Sequence, residues 1–269
     1  MTGTDDATGS VTTTTPSLAV TLDKQVAVLE IRRPPANYFD EELIGAIVDA
    51  ALALDENPDC RALVLCSAGK HFCAGADFGA GGDFETDRAA VASKLYRRAT
   101  GLFQVRKPIV AAVQGAAVGG GMGLACAADF RVADAKTRFV ANFATLGFHH
   151  GFGLTVTLPL IIGFQRATDL LYRGGTVRGE EAGRIGLADR LTEPGEQREA
   201  AIAWARDLAA AAPLAASSIR ETMRAGIADR VSEALERELS EQARLWETAD
   251  CAEGIAAAGE RRPPVFTGR

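Results

Sequence analysis

The spacing of apolar and polar positions changes character near residue 191. Between Ser17 and Leu191, short β-rich runs at Leu18 to Thr21, Val26 to Ile31, Ala62 to Cys66, Ile109 to Val113 and Phe130 to Val132 alternate with longer segments. Two of those segments, Glu41 to Leu54 and Ala89 to Gln104, repeat apolar residues at spacings of three and four and predict helices, with Pro58 and Pro108 closing the connections. This alternation predicts an α/β core around a buried sheet. Beyond Leu191 the strand signals stop. Glu196 to Ala211, Leu214 to Ala228, Val231 to Glu247 and Cys251 to Gly259 read as consecutive amphipathic helices. The expected organisation is a disordered Thr/Ser-rich leader over 1–16, an α/β core over 17–195 and a helical region over 196–269. In the last, the charged run Glu233-Ala-Leu-Glu-Arg-Glu-Leu-Ser-Glu241 reads as a solvated helix face, and the apolar face as a subunit contact.

Charge and cysteine usage narrow the class. A net charge of −6 with no basic run longer than a pair, as at Arg97-Arg98, gives no face on which to neutralise phosphates, so a nucleic-acid partner is not expected. The five cysteines, at 60, 66, 73, 126 and 251, form no Cys-x-x-Cys pair and mostly sit in apolar runs, as buried thiols in a reducing compartment do. The leader has no basic flank or apolar block, and no apolar stretch reaches membrane-spanning length. The expected location is the cytoplasm, away from membranes.

Candidate chemistry concentrates in two glycine-punctuated segments that each follow a strand: Lys70-His-Phe-Cys-Ala-Gly-Ala-Asp77, and Gln114-Gly-Ala-Ala-Val-Gly-Gly-Gly-Met-Gly123. Glycines at a strand-to-helix junction let a ligand approach the backbone and aim first-turn N–H groups at it. Rival motifs fail letter by letter. Counting Gly-x-Gly-x-x-Gly from Gly119 ends on Leu124 and from Gly121 on Cys126; Gly69-Lys70 continues with His71 rather than Ser or Thr; no Gly-x-Ser-x-Gly occurs. A plain tight turn remains open for either segment taken alone.

Together the segments resemble the enoyl-CoA hydratase/isomerase (crotonase) family. The likeness extends through Arg33-Pro-Pro-Ala-Asn37, His71-Phe-Cys-Ala-Gly-Ala-Asp77, Val113 to Gly121, Ala128-Asp129, Glu181-Ala-Gly-Arg-Ile-Gly-Leu-Ala-Asp189 and the stretch from Asp250 to Phe266. The resemblance implies a spiral of β-β-α units with a C-terminal helical oligomerisation region, a homotrimer or dimer of trimers, and an acyl-CoA thioester as substrate. It needs no cofactor beyond the coenzyme A of that substrate, and no metal. It implies an oxyanion hole donated by the backbone N–H groups of Ala76 and Gly120, with coenzyme A against Ala36, Ala74, Gly75 and Gly119. Two such donors stabilise the negative charge that grows on a thioester oxygen when a proton leaves or a nucleophile adds.

The family's hydratases use two glutamates to activate water and deliver a proton, and the matching positions here are Gly123 and Phe143. The expected activity is therefore an isomerase-, hydrolase- or lyase-like reaction; the alternatives are thioester binding without turnover and conventional enoyl-CoA hydration. The candidate replacements are His149 and His150, in Leu146-Gly-Phe-His-His-Gly-Phe-Gly153, because imidazole titrates near neutrality. Of the two, His150 is the stronger candidate. His71 is expected to support its loop, and Asp77 and Asp129 to have capping or turn roles. Phe143, Phe148 and Phe152 are expected to line an apolar acyl pocket or to fill core, with the pocket favoured at 143. Gly79-Ala-Gly-Gly82 suggests a mobile loop beside it.

Overall fold

The computed structural model describes residues 4–5, 11–77 and 87–269. Its strands are β1 (Thr4–Asp5), β2 (Val11–Thr14), β3 (Leu18–Asp23), β4 (Val26–Ile31), β5 (Ala62–Ser67), β6 (Ile109–Ala112), β7 (Ala116–Val118), β8 (Phe130–Asp134), β9 (Arg138–Val140), β10 (Thr176–Arg178) and β11 (Arg190–Thr192). Its helices are α1 (Glu41–Glu56), α2 (Arg88–Ala99), α3 (Gly120–Ala127), α4 (Leu154–Ile162), α5 (Phe164–Arg173), α6 (Gly179–Ile185), α7 (Gln197–Ala209), α8 (Pro213–Met223), α9 (Ile227–Trp246) and α10 (Ala249–Glu260). The fold is α/β, as the alternation predicts. All five strand runs and all six amphipathic helices read from the periodicity form in place.

The large sheet runs β1-β2-β3-β4-β5-β6-β8-β11. Its first four strands are antiparallel and the rest pair in parallel, beginning with β4 on β5 from Val26↔Ala62 to Ile31↔Ser67. Parallel strands covered on both faces read as unbroken apolar runs, and Ala-Leu-Val-Leu-Cys of β5 does so. Leu63 and Leu65 face the main core, while Val64 and Cys66 face Ala201, Ala205 and Ala209 of α7. Thus α7, grouped with the C-terminal helices by pattern alone, closes the second face of the sheet.

A smaller sheet, β10-β9-β7, crosses over the main core. Of the leader, residues 1–3 and 6–10 lie outside the described residues. Val11–Thr14 pairs antiparallel with β3 on one side and β1 on the other, where a structureless segment is expected; its β-branched sequence Val-Thr-Thr-Thr suits a strand. All five cysteines are free and buried. Among the described residues, no helix is long and apolar enough to cross a membrane.

Candidate active site

Three stretches of backbone converge on the two expected donors. The turn Arg33 to Asn37 is pinned by buried Asn37, whose Nδ2 donates to the carbonyls of Ala68 (2.8 Å) and His71 (2.6 Å) while its Oδ1 accepts from the Arg33 N–H. From there Ala36 O accepts the Ala74 N–H at 2.9 Å, and Phe39 N–H donates to Gly75 O at 2.9 Å. On its other side the 72–76 segment bonds to β7, with Cys73 N–H on Ala116 O and Val118 N–H on Cys73 O. Gly75, at φ 83°, lies between the two loops. A Cβ there would stand 2.8 Å from Val118 O and 3.4 Å from Gly120 N, so only glycine permits the approach.

Gly119, at φ 54° and ψ −119°, turns the chain from β7 into α3, and Gly120 is the first helical residue. Cβ atoms on Gly120 and Gly121 would collide with the Phe39 ring and Cys73 O respectively. Among the described residues, the N–H groups of Ala76 and Gly120 have no acceptor. Gly120 opens α3, whose first-turn N–H groups have no intrahelical acceptor, and the half-buried Ala76 N–H stands beside the same cavity. Both residues line that cavity, of about 50 Å³, together with Ala74, Gly75, Gly119 and Asn142. The helix dipole of α3 adds to the positive potential there. Ala36 is not on the cavity wall; it acts through its bond to Ala74.

Phe143 and Phe148 also line this cavity, and both form part of a second, larger one of about 690 Å³. The larger cavity is walled by His149, His150 and Thr155 and by apolar residues of α4 and α5, including Pro159, Phe164 and Leu171. Phe152 is not part of either. It packs 5.7 Å from both Phe39 and Tyr96, and its Cβ lies 2.5 Å from where a Gly123 Cβ would be. The expectation that it lines an acyl pocket is thereby corrected: with φ at 61°, its backbone turns the ring back into the core.

The two histidines differ in their surroundings although their rings stack at 4.1 Å. His149 Nδ1 lies 2.7 Å from His150 O, and since a carbonyl only accepts, that nitrogen carries a proton. His150 Nε2 lies 2.8 Å from Thr155 Oγ1, which is 2.6 Å from Glu238 Oε1. Burial, then the neighbouring His149, pushes the His150 pKa down from 6.5 to about 3, which corrects the expectation of a ring that titrates near neutrality: at pH 7 it is neutral and a much weaker base than a free imidazole. Glu238 is 0 % exposed and belongs to the run expected to be solvated. Burial raises its pKa against the bonds it accepts from the Thr155 hydroxyl and the N–H groups of Thr155 (3.0 Å) and Gly153 (2.9 Å). It shares the buried stripe of α9 with Val231, Leu235, Leu239, Gln242 and Trp246.

The other polar candidates lie apart. The His71 ring faces a separate cleft with Lys70, Gln114, Lys136 and Arg138; burial and the charges of Lys70 and Arg138 lower its pKa. Asp129 accepts from Ile109 N–H and pairs with Arg220 and Arg224 of the α8 region at 2.8 and 2.9 Å. It ties α8 to the core. Among the described residues, no three His, Cys, Asp or Glu side chains cluster as metal ligands. Gly79-Ala-Gly-Gly82 lies outside the described residues.

Ala76 and Gly120 thus line a small cavity at a strand-to-helix glycine junction, beside a larger apolar one. The family model for enoyl-CoA hydratase/isomerase matches residues 21–269, and the chain belongs to that family. It is 32% identical over 257 residues to a carnitinyl-CoA dehydratase of Salmonella arizonae, covering 94% of this chain and 98% of the relative. Against a crotonyl-CoA hydratase of Syntrophomonas wolfei it is 31% identical, covering 91% and 95%. A crystal structure of an enoyl-CoA hydratase/isomerase from Pseudoalteromonas atlantica superposes with a TM-score of 0.83 at 28% identity, covering 93% of this chain and all of the other.

Proposed function

We propose that this chain is an acyl-CoA enzyme that polarises a thioester carbonyl between the N–H groups of Ala76 and Gly120 and moves a proton with His150, in an isomerase-, hydrolase- or lyase-like reaction. The observation that carries the reading is the pair of unpartnered backbone donors lining one small cavity. The cavity's size suits the thioester, and the larger cavity behind Phe143 and Phe148 suits the acyl group. Coenzyme A would lie along Ala74, Gly75 and Gly119, with Ala36 holding Ala74. His150, neutral and on the wall of the larger cavity, would accept a proton from the α- or γ-carbon or from water; the stacked His149 assists. A preorganised hole donor is worth about 2.7–4 kcal/mol in the transition state.

Classical hydration is disfavoured because Gly123 and Phe143 stand where the family resemblance places the two carboxylates, and Phe152 fills the space beside Gly123. The same observation supports a second reading, an acyl-CoA-binding protein without turnover. Incubation with a panel of enoyl-, dienoyl- and β-keto-acyl-CoA substrates separates them. The first reading predicts turnover that His150→Ala lowers at least tenfold; calorimetric binding with no turnover on any member establishes the second. In either case we place the protein in the cytoplasm as a homotrimer or dimer of trimers, a reading supported by the exposed Leu214, Ile219 and Met223 of α8.

A further inference from the structure

Glu238 plays one plain structural role, in which its carboxylate caps α4 by accepting from Gly153 and Thr155 N–H at the helix start. Capping alone leaves the third bond unexplained. A threonine hydroxyl has one proton to donate. With Glu238 ionised its carboxylate only accepts, and at 2.6 Å the Thr155 O–H then points at Glu238 Oε1. The Thr155 oxygen must then accept from His150 Nε2, 2.8 Å away. We propose that Glu238 and Thr155 are positioning residues that fix neutral His150 as its Nε2–H tautomer, leaving Nδ1 as the unprotonated nitrogen of a ring that lines the larger cavity. The adjacent His149 takes the opposite form, with its proton on Nδ1 held by His150 O.

This inference rests on the reading of His150 as the proton-handling group, but its geometry reaches beyond it. If Glu238 instead holds a proton and donates to Thr155, the hydroxyl turns to His150 and the basic nitrogen becomes Nε2, locked against Thr155 and lost to any substrate. The protonation state of a carboxylate on α9 thus decides which nitrogen of a histidine 3.8 Å away is usable.

The chain has three histidines, so the test is tractable with ¹⁵N-histidine-labelled full-length protein, assigned through His71→Gln, His149→Gln and His150→Gln. Long-range ¹H–¹⁵N correlation at pH 7 should show His150 protonated on Nε2 and His149 on Nδ1. Thr155→Val should convert His150 to a tautomer mixture, whereas Thr155→Ser should keep the wild-type pattern. In whichever acyl-CoA assay gives turnover, Thr155→Val should lower kcat at least tenfold with KM nearly unchanged, and Thr155→Ser should restore it. A wild-type His150 protonated on Nδ1 overturns the proposal without any variant having to fold; so does a Thr155→Val protein with the tautomer unmoved. Absence of turnover on all substrates would refute the enzymatic reading alone, since the tautomer is read without a substrate.

Discussion

Gly123 and Phe152 are predicted to be strongly coupled. A methyl at Gly123 would sit 2.5 Å from Phe152 Cβ, which no rotamer change moves, and 2.8 Å from its Cγ. Gly123→Ala therefore costs overpacking at the upper end of about 1–3 kcal/mol, less about 1 kcal/mol of helix propensity gained inside α3, a net loss of about 2 kcal/mol. Phe152→Gly loses about 3–5 kcal/mol of packing, and recovers about 1 kcal/mol because the residue sits at φ 61°. Singly the two cost about 5 kcal/mol together. In the double variant the clash disappears, so the cost falls to about 2 kcal/mol and the coupling is about 3 kcal/mol. Urea denaturation of the four proteins, with equal m-values as the control, measures it. Additivity within about 0.5 kcal/mol would refute the claim that Phe152 occupies the side chain's place at 123. The functional corollary is that Gly123→Glu with Phe143→Glu restores enoyl-CoA hydration only when Phe152→Gly is added.

Three further outcomes follow from the same geometry. Folded His150 stays neutral down to about pH 3 while the unfolded chain protonates it near 6.5, so in that window the unfolded state binds more protons and stability rises with pH. Wild type should lose about 2 kcal/mol between pH 7 and pH 5 that His150→Gln does not; parallel stability curves would contradict this. Asp129→Ala strands two mostly buried guanidiniums, those of Arg220 and Arg224, and should cost about 3–5 kcal/mol in denaturation; a loss below about 1 kcal/mol would show the cluster to be solvated. Gly120→Ala drives a methyl into the Phe39 ring and displaces the hole, so thioester affinity measured by calorimetry should fall at least tenfold, with partial recovery in the double variant with Phe39→Leu.

The elements that periodicity reveals are those with long, one-sided burial or with both faces covered. β4 and β5 are apolar except for Glu30 and Ser67 because both faces are covered, and α9 is read from its stripe of Val231, Leu235, Leu239 and Trp246. The three-residue strands β7, β9 and β10 are too short to show a period, and α4 is hidden by its flanking glycines and internal Pro159. The glycine triplet is legible because it has a steric cause that the structure displays: Cβ atoms on Gly120 and Gly121 would meet the Phe39 ring and Cys73 O. Glu238 and the inward turn of Phe152 are not legible in that way. The first is one acid among several on a charged helix, and only the tertiary contact with Gly153 and Thr155 sets it apart; the second depends on a left-handed backbone that nothing in Gly-Phe-Gly forces.

The central claim, that Ala76 and Gly120 hold a thioester oxygen, is tested most directly by the carbonyl stretch of a bound acyl-CoA in infrared difference spectra using ¹³C-carbonyl label. Two converging N–H donors weaken the C=O bond, so the band should move to lower frequency on binding, and Gly120→Ala should return most of that shift. A thioester that binds with its carbonyl band at the solution position would contradict the account.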